Sequence, residues 1–131
     1  MTGVLERYPR LKVVLVENEV SWIPFYLGQY DKYWGRGNLD SPLTMFPSEY
    51  FSRQFYATFF NDPPARWIFG QWASHNLMWS NDYPHPNSTW PKSRDVIARD
   101  LGHVPEGTRA RLLQENVREL YQLPALKPLA A

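Results

Sequence analysis

The chain has 131 residues, of which 44% are hydrophobic, enough for one domain of ordinary size with a core. Its 14 basic residues stand against 13 acidic ones, and a net charge of +1 supplies no field to draw in nucleic acid or an anionic membrane. With no cysteine, disulfides, thiolate metal sites, iron–sulfur clusters and a cysteine nucleophile are excluded. The N-terminal MTGVLERYPRLKV has no long apolar stretch and carries Glu6 early. Neither a secretory signal nor a membrane span is expected, and the expected location is cytoplasmic. Six tryptophans, eight tyrosines and seven phenylalanines are more than a small monomer readily buries, so some are expected to line a pocket or an interface with another chain.

In chain order, Leu5 to Pro9 reads as the end of a short helix stopped by the proline. Lys12 to Glu17 is a near-continuous apolar run closed by an acid, the pattern of a parallel strand covered on both faces. A helix follows from Ser21 or Pro24 to Tyr33, with Ser21 as cap and Trp22, Phe25, Tyr26, Tyr30 and Tyr33 at helical spacing. Gly35 to Pro47 reads as loop, and Ser48 caps a turn over Glu49 to Arg53. Gln54 to Phe60 suits a second strand. Asp62 then caps a helix that begins at Pro63-Pro64 and runs toward Trp72. Leu77 to Ser80 is a third strand, followed by an irregular loop holding Pro84, Pro86 and Pro91. Ser93 caps a helix over Arg94 to Leu101. A last helix from Thr108 to Leu120 carries Leu112, Leu113, Val117, Leu120 and Tyr121 as its apolar stripe, and the tail PALKPLAA is expected to fray.

This order predicts an α/β layer of three parallel strands with covering helices. Such a sheet has two open edges, which something must cover.

Ligands in α/β folds bind beyond the carboxyl ends of the strands, and the polar residues of interest fall there. Glu17 closes the first strand, with Glu19 two residues on; Asp82 closes the third, with His85 three residues on. An aspartate near an imidazole at a strand end suits a metal ligand set or an acid–base pair; it equally suits a turn in which Asp82 caps backbone amides and His85 faces solvent. Glu17 and Glu19, if both face one side, form a paired acid site. His75 and His103 read as surface or turn residues. The metalloprotease, nucleophile-elbow and phosphate-loop motifs are absent, as is a glycine-rich dinucleotide fingerprint.

Three stretches, GVLERYPRLKVVLVENEVSWIPFYLGQYDKYW, LMWSNDYPHPNSTWPKSRDVI and ENVRELYQL, carry a resemblance to the C-terminal part of amidohydrolase-related proteins, in the branch that includes aminocarboxymuconate-semialdehyde decarboxylase. The resemblance implies residues 1–131 as the last three βα units of a (β/α)8 TIM barrel, a fragment with a divalent metal, zinc by family habit, at its C-terminal mouth. It implies metal-dependent hydrolysis or non-oxidative decarboxylation of a small carboxylic acid. Asp82 matches the family's last-strand aspartate, a metal ligand or a base beside the metal. Glu17 falls where the family's decarboxylases place a histidine near the substrate. His85 follows in the same string and shapes the mouth, which Trp79 and Trp90 flank; apart from the resemblance, Trp79, Tyr83 and Trp90 form the expected substrate pocket. The family's remaining metal-binding histidines have no counterpart here. The chain is therefore expected to be incomplete alone, with the upstream barrel portion on another polypeptide or with homo-oligomerisation covering its edges. A non-enzymatic self-associating module and a small-ligand binding domain are the alternative expectations.

Overall fold

A computed structural model describes residues 3–37, 42–69, 71–72 and 74–125. Its strands and helices follow the expected order, with differences at the element ends.

Helix α1 (Val4–Arg7) is a single turn that stops before Pro9. Strand β1 (Val13–Leu15) is shorter than the Lys12–Glu17 run. The backbone turns left-handed at Glu17, with φ of 56°, a conformation that ends a strand. Helix α2 (Ile23–Gly35) has Pro24 in its first turn, but Ser21 does not cap it. The Ser21 N–H instead donates to Asp62 Oδ2 across 2.7 Å.

Helix α3 (Pro47–Gln54) is stabilised at its start by Glu49, whose carboxylate accepts the Phe46 N–H at 2.7 Å. Ser48, the expected cap, donates its backbone N–H to Asp31 of α2 and so ties the two helices together. Strand β2 (Phe55–Phe59) follows directly. The expected helix after Asp62 is only a short 3-10 segment, Pro63–Trp67. Asp62 does not cap it with its side chain, because that carboxylate is committed to Val20 and Ser21.

Strand β3 (Leu77–Trp79) leads into the proline loop and helix α4 (Ser93–Leu101), which starts at Ser93 rather than after it; the Ser93 hydroxyl bonds Thr89. The final helix begins two residues before the expected Thr108 and runs as α5 (Glu106–Ala110), one π-helical turn (Arg111–Glu115) and α6 (Asn116–Tyr121). Residues 126–131 of the tail and 38–41 of the expected loop lie outside the described residues.

The sheet order is β1-β2-β3, all parallel, with Val13 opposite Phe55 and Ala57 opposite Leu77. Its helix-facing side carries the core: Ala57, Phe59 and Leu77 meet Ile23, Phe51, Phe69, Leu101 and Leu112. Phe59 and Phe69 pack with ring centroids 4.6 Å apart, and Phe51 stacks on Phe55 and Trp72. Along β2 the alternate residues Tyr56 and Thr58 are only half-buried. The expectation of strands covered on both faces is thus not met: in the described residues one face is packed and the other is partly open. The period-two alternation of side chains assigns each residue to one of these faces.

Part of the free edge of β3 is covered from within. Asn76 O accepts the Ala57 N–H, so it faces β2. By the alternation of the strand, Leu77 O points the opposite way. There the wholly buried Asn116 donates its amide to Leu77 O at 2.7 Å and to Ser74 O at 2.6 Å. Leu112 lies one turn earlier and is buried as expected, whereas Tyr121, assigned to the same stripe, is 56% exposed. No helix among the described residues is long and apolar enough to cross a membrane.

Candidate functional site

The two outer strands end in abrupt turns, and those turns create the site. Glu17, Glu19 and Asp82 have φ of 56°, 53° and 60°, left-handed values that each cost a non-glycine residue about 1–3 kcal/mol. Such strain persists only where surrounding contacts hold it. The Glu17 N–H donates to Thr58 Oγ1 on the neighbouring strand at 3.0 Å. On the Asp82 side, the Asn81 carbonyl accepts the Thr89 N–H and the Ser88 hydroxyl, and Asn81 Oδ1 accepts the Tyr83 N–H.

This geometry brings Glu17, Asp82 and His85 together, with one ligand atom from each lying within 4.8 Å of the others. His85 Nδ1 is 3.0 Å from Asp82 Oδ2, with the imidazole side chain 60% exposed and the aspartate side chain 9% exposed. Asp82 therefore does not spend its carboxylate capping amides. Among the described residues its side-chain partners are Glu17 and His85, while its backbone carbonyl closes the turn by accepting the His85 N–H. His85 Nδ1 also lies 3.4 Å from the Asn87 N–H, which requires the nitrogen lone pair; the shorter contact to Asp82 favours a proton on Nδ1.

The Glu17 carboxyl is held above its ordinary range, first because it shares a hydrogen bond with Asp82 and then because the Asp82 charge opposes its ionisation. The expected Glu17–Glu19 pair does not form. Glu19 turns to the loop after β2, where its two oxygens accept the Phe60 and Asn61 N–H groups at 3.1 Å each. Its carboxyl is also raised, chiefly by burial, with those two amides acting in the opposite direction.

Of the aromatic residues predicted at the mouth, Tyr83 and Trp90 meet edge to face at 5.9 Å and are both exposed. Trp79, by contrast, packs against the hydrophobic core. His75 and His103 lie on the surface, as expected; they bond Ser52 and the Arg66 carbonyl. Sequence reasoning did not find Thr58, although a hydroxyl inside the apolar QFYATFF run is the signal for a strand residue with a polar neighbour. It also did not find an apolar cavity of about 230 Å³ between α1, β1, α2 and α3, lined by Leu15, Ile23, Leu27, Phe51 and Phe55 among others. Among the described residues that line it there is no carboxylate or imidazole, and it is separate in chemistry from the strand-end site.

The sequence profile described as amidohydrolase matches residues 1–123. The chain belongs to the amidohydrolase family. No curated protein sequence matches it significantly. Among solved structures it is similar to 5-carboxyvanillate decarboxylase from Sphingomonas paucimobilis, with 27% identity and a TM-score of 0.74 over 94% of this chain and 37% of that one. The fold is likewise similar to dihydroxybenzoic acid decarboxylase from Polaromonas sp. JS666 with bound manganese (19% identity, TM-score 0.72, 93% of this chain and 37% of that one). A third similar structure is 2,6-dihydroxybenzoate decarboxylase from Rhizobium (19% identity, TM-score 0.70, 92% and 38%). The chain thus spans somewhat over a third of these barrels, and its architecture is a partial (β/α)8 barrel of three βα units.

Family membership implies a divalent metal, and the residues present fit one. Two carboxylates and an imidazole are donors suited to zinc or manganese. The two carboxylates are close enough that the charge of one opposes ionisation of the other, a repulsion that a cation or a shared proton relieves.

Proposed function

We propose that this chain supplies Asp82, Glu17 and His85 to the metal-bearing mouth of an amidohydrolase-type barrel that hydrolyses or decarboxylates a small aromatic carboxylic acid. The observation that carries the reading is the convergence of these three side chains, from the ends of β1 and β3, to within 4.8 Å. Sites of (β/α)8 barrels lie at that end of the strands. When bound, a divalent ion polarises a substrate oxygen and lowers the pKa of a coordinated water.

The chain's own residues have distinct tasks in this reading. Asp82 is a ligand to the ion and the acceptor for His85 Nδ1–H, which fixes its orientation. Glu17, which shares a hydrogen bond with Asp82, delivers a proton from its carboxyl oxygen. In decarboxylation the bond to the carboxyl carbon breaks, its electron pair stays on the ring carbon, carbon dioxide leaves, and that proton takes its place. Tyr83 and Trp90 present exposed aromatic surface on which a planar substrate can rest. The similar solved structures named as decarboxylases of aromatic acids support this substrate class, and the remaining ligands come from barrel strands beyond these three.

The test is co-expression with the first five βα units of the Sphingomonas 5-carboxyvanillate decarboxylase. The expected result is a co-purifying complex that retains zinc or manganese and releases carbon dioxide from 5-carboxyvanillate, with release abolished by Asp82→Asn. A stable complex that holds neither metal overturns the proposal.

A second reading, self-association through exposed surface, has its own observation. Trp22, Phe25, Tyr26 and Tyr30 form a contiguous, largely exposed aromatic ridge on α2, with ring centroids 5.5 to 6.3 Å apart. Native mass spectrometry distinguishes the readings: a metal-free oligomer favours self-association, whereas retained metal at a fixed ratio favours the shared site.

A further inference from the structure

We propose that Glu19 and Asp62 form a reciprocal clasp that positions Glu17 against Asp82 and His85; its functional meaning rests on the metal-site reading above. The loops that follow β1 and β2 each lend a carboxylate to two consecutive N–H groups of the other. Glu19, in the first loop, accepts from Phe60 and Asn61 through Oε2 and Oε1 at 3.1 Å each. Asp62, in the second, accepts from Val20 and Ser21, both through Oδ2 at 2.7 Å. The Asp62 half is shielded from water, with Val20 0% exposed and Asp62 7%, while the Glu19 half is more open and its bond to Asn61 is exposed. Thr58 completes it by accepting the Glu17 N–H.

The clasp has a physical task. Glu17 and Glu19 are both left-handed residues, so the loop between them relaxes to ordinary backbone angles unless something holds it. Relaxation of Glu17 swings its carboxyl away from Asp82. Neither Glu19 nor Asp62 belongs to the group of ligand atoms that converge. They act through the loop and are positioning residues.

The way the oxygens are used gives a test that separates positioning from charge or bulk. Asp62 receives both amides on one oxygen, so Asp62→Asn keeps a carbonyl oxygen for them, whereas Asp62→Ala removes it. Glu19 uses both oxygens, so Glu19→Gln turns one acceptor into a donor that faces an N–H. Two readouts are needed on the full chain. The nuclear Overhauser contact between the Glu17 side chain and the His85 ring reports the geometry without metal, and calorimetric titration of the chain's complex with the first five βα units, using manganese chloride, reports the metal site.

The expected result is that Glu19→Gln and Asp62→Ala lose the Overhauser contact and bind manganese about tenfold or more weakly, in line with losses from outer-shell partners, while Asp62→Asn retains both. The clasp is overturned if Glu19→Gln and Asp62→Ala keep the contact, or if Asp62→Asn behaves like Asp62→Ala. Should either variant not fold, the other decides the matter by the same contact. A wild-type chain that shows the contact and the expected variant pattern, but whose complex with the first five βα units takes up no manganese, refutes the metal reading and leaves the clasp standing.

Discussion

Replacing Asn116 with leucine tests whether a single amide anchors the last helix to the sheet. The wild-type side chain is wholly buried and donates to Leu77 O at 2.7 Å and Ser74 O at 2.6 Å. Leucine keeps the same branched heavy-atom shape, though with bulkier methyl groups, and removes both donors. Leu77 is 0% exposed, so its carbonyl loses its partner away from water, at about 1–3 kcal/mol. Ser74 is half-buried, and its bond is worth the ordinary net of about 0.5–1.5 kcal/mol. The Arg111 contact to Asn116 Oδ1 adds little, because the guanidinium is part-exposed and water replaces the oxygen. The sum is about 2–4 kcal/mol, which lowers the urea midpoint by about 1–2 M at an unchanged slope. Tryptophan fluorescence during urea unfolding measures this directly. Asn116→Ala loses the same bonds and adds a cavity, so it falls further. A leucine variant within about 0.5 kcal/mol of wild type refutes the reasoning, since the amide would then contribute nothing beyond its packing volume.

Further predictions follow from the strand-end site and the core. The Glu17 carboxyl is raised above 4.5 in the folded chain, so between that value and its folded one the native state holds more proton than the unfolded state. This contribution therefore makes stability fall as pH rises through the window; Glu17→Gln flattens the slope, Glu19 keeps part of it, and urea midpoints measured from pH 4.5 to 7 decide. An unchanged slope in Glu17→Gln contradicts the assignment. If the three side chains hold an ion, manganese at a hundred times its dissociation constant stabilises the chain by about 2.7 kcal/mol, and Asp82→Ala removes that shift in thermal melting. Leu101 is 0% exposed in the core, and Leu101→Ala is expected to cost about 2–5 kcal/mol by urea unfolding. A loss under about 1 kcal/mol would mean that the helix-covered face is not packed as described.

The sequence reading and the structure agree most where a local pattern suffices. Val13–Leu15, Phe55–Phe59 and Leu77–Trp79 are apolar runs bounded by turn residues, and all three are strands. The family string around Asp82 also pointed to the strand end where the candidate site lies. The capping assignments fared differently. Ser21, Ser48, Asp62 and Ser93 each have cap chemistry at a helix start, yet none caps with its side chain. In the Asp62 case the reason is plain: Val20 and Ser21, 42 and 41 residues away, present two N–H groups to the same carboxylate. A cap competes with every other donor in reach, and sequence shows only the nearby ones.

The pairing of acids shows the same limit. Two residues apart on a straight strand, Glu17 and Glu19 share a face; left-handed backbone at both breaks that alternation and sends them to different partners. Element order, parallel α/β class and the identity of Asp82, Glu17 and His85 as candidates were legible from the chain itself, because spacing and residue type express them locally. The tertiary structure alone decided that Glu17 meets Asp82 rather than Glu19, that Asp62 serves a distant loop, and that Asn116 covers a strand edge. Each of those outcomes depends on hydrogen-bond donors and acceptors brought together across 39 to 65 residues of chain, a competition that no local pattern records.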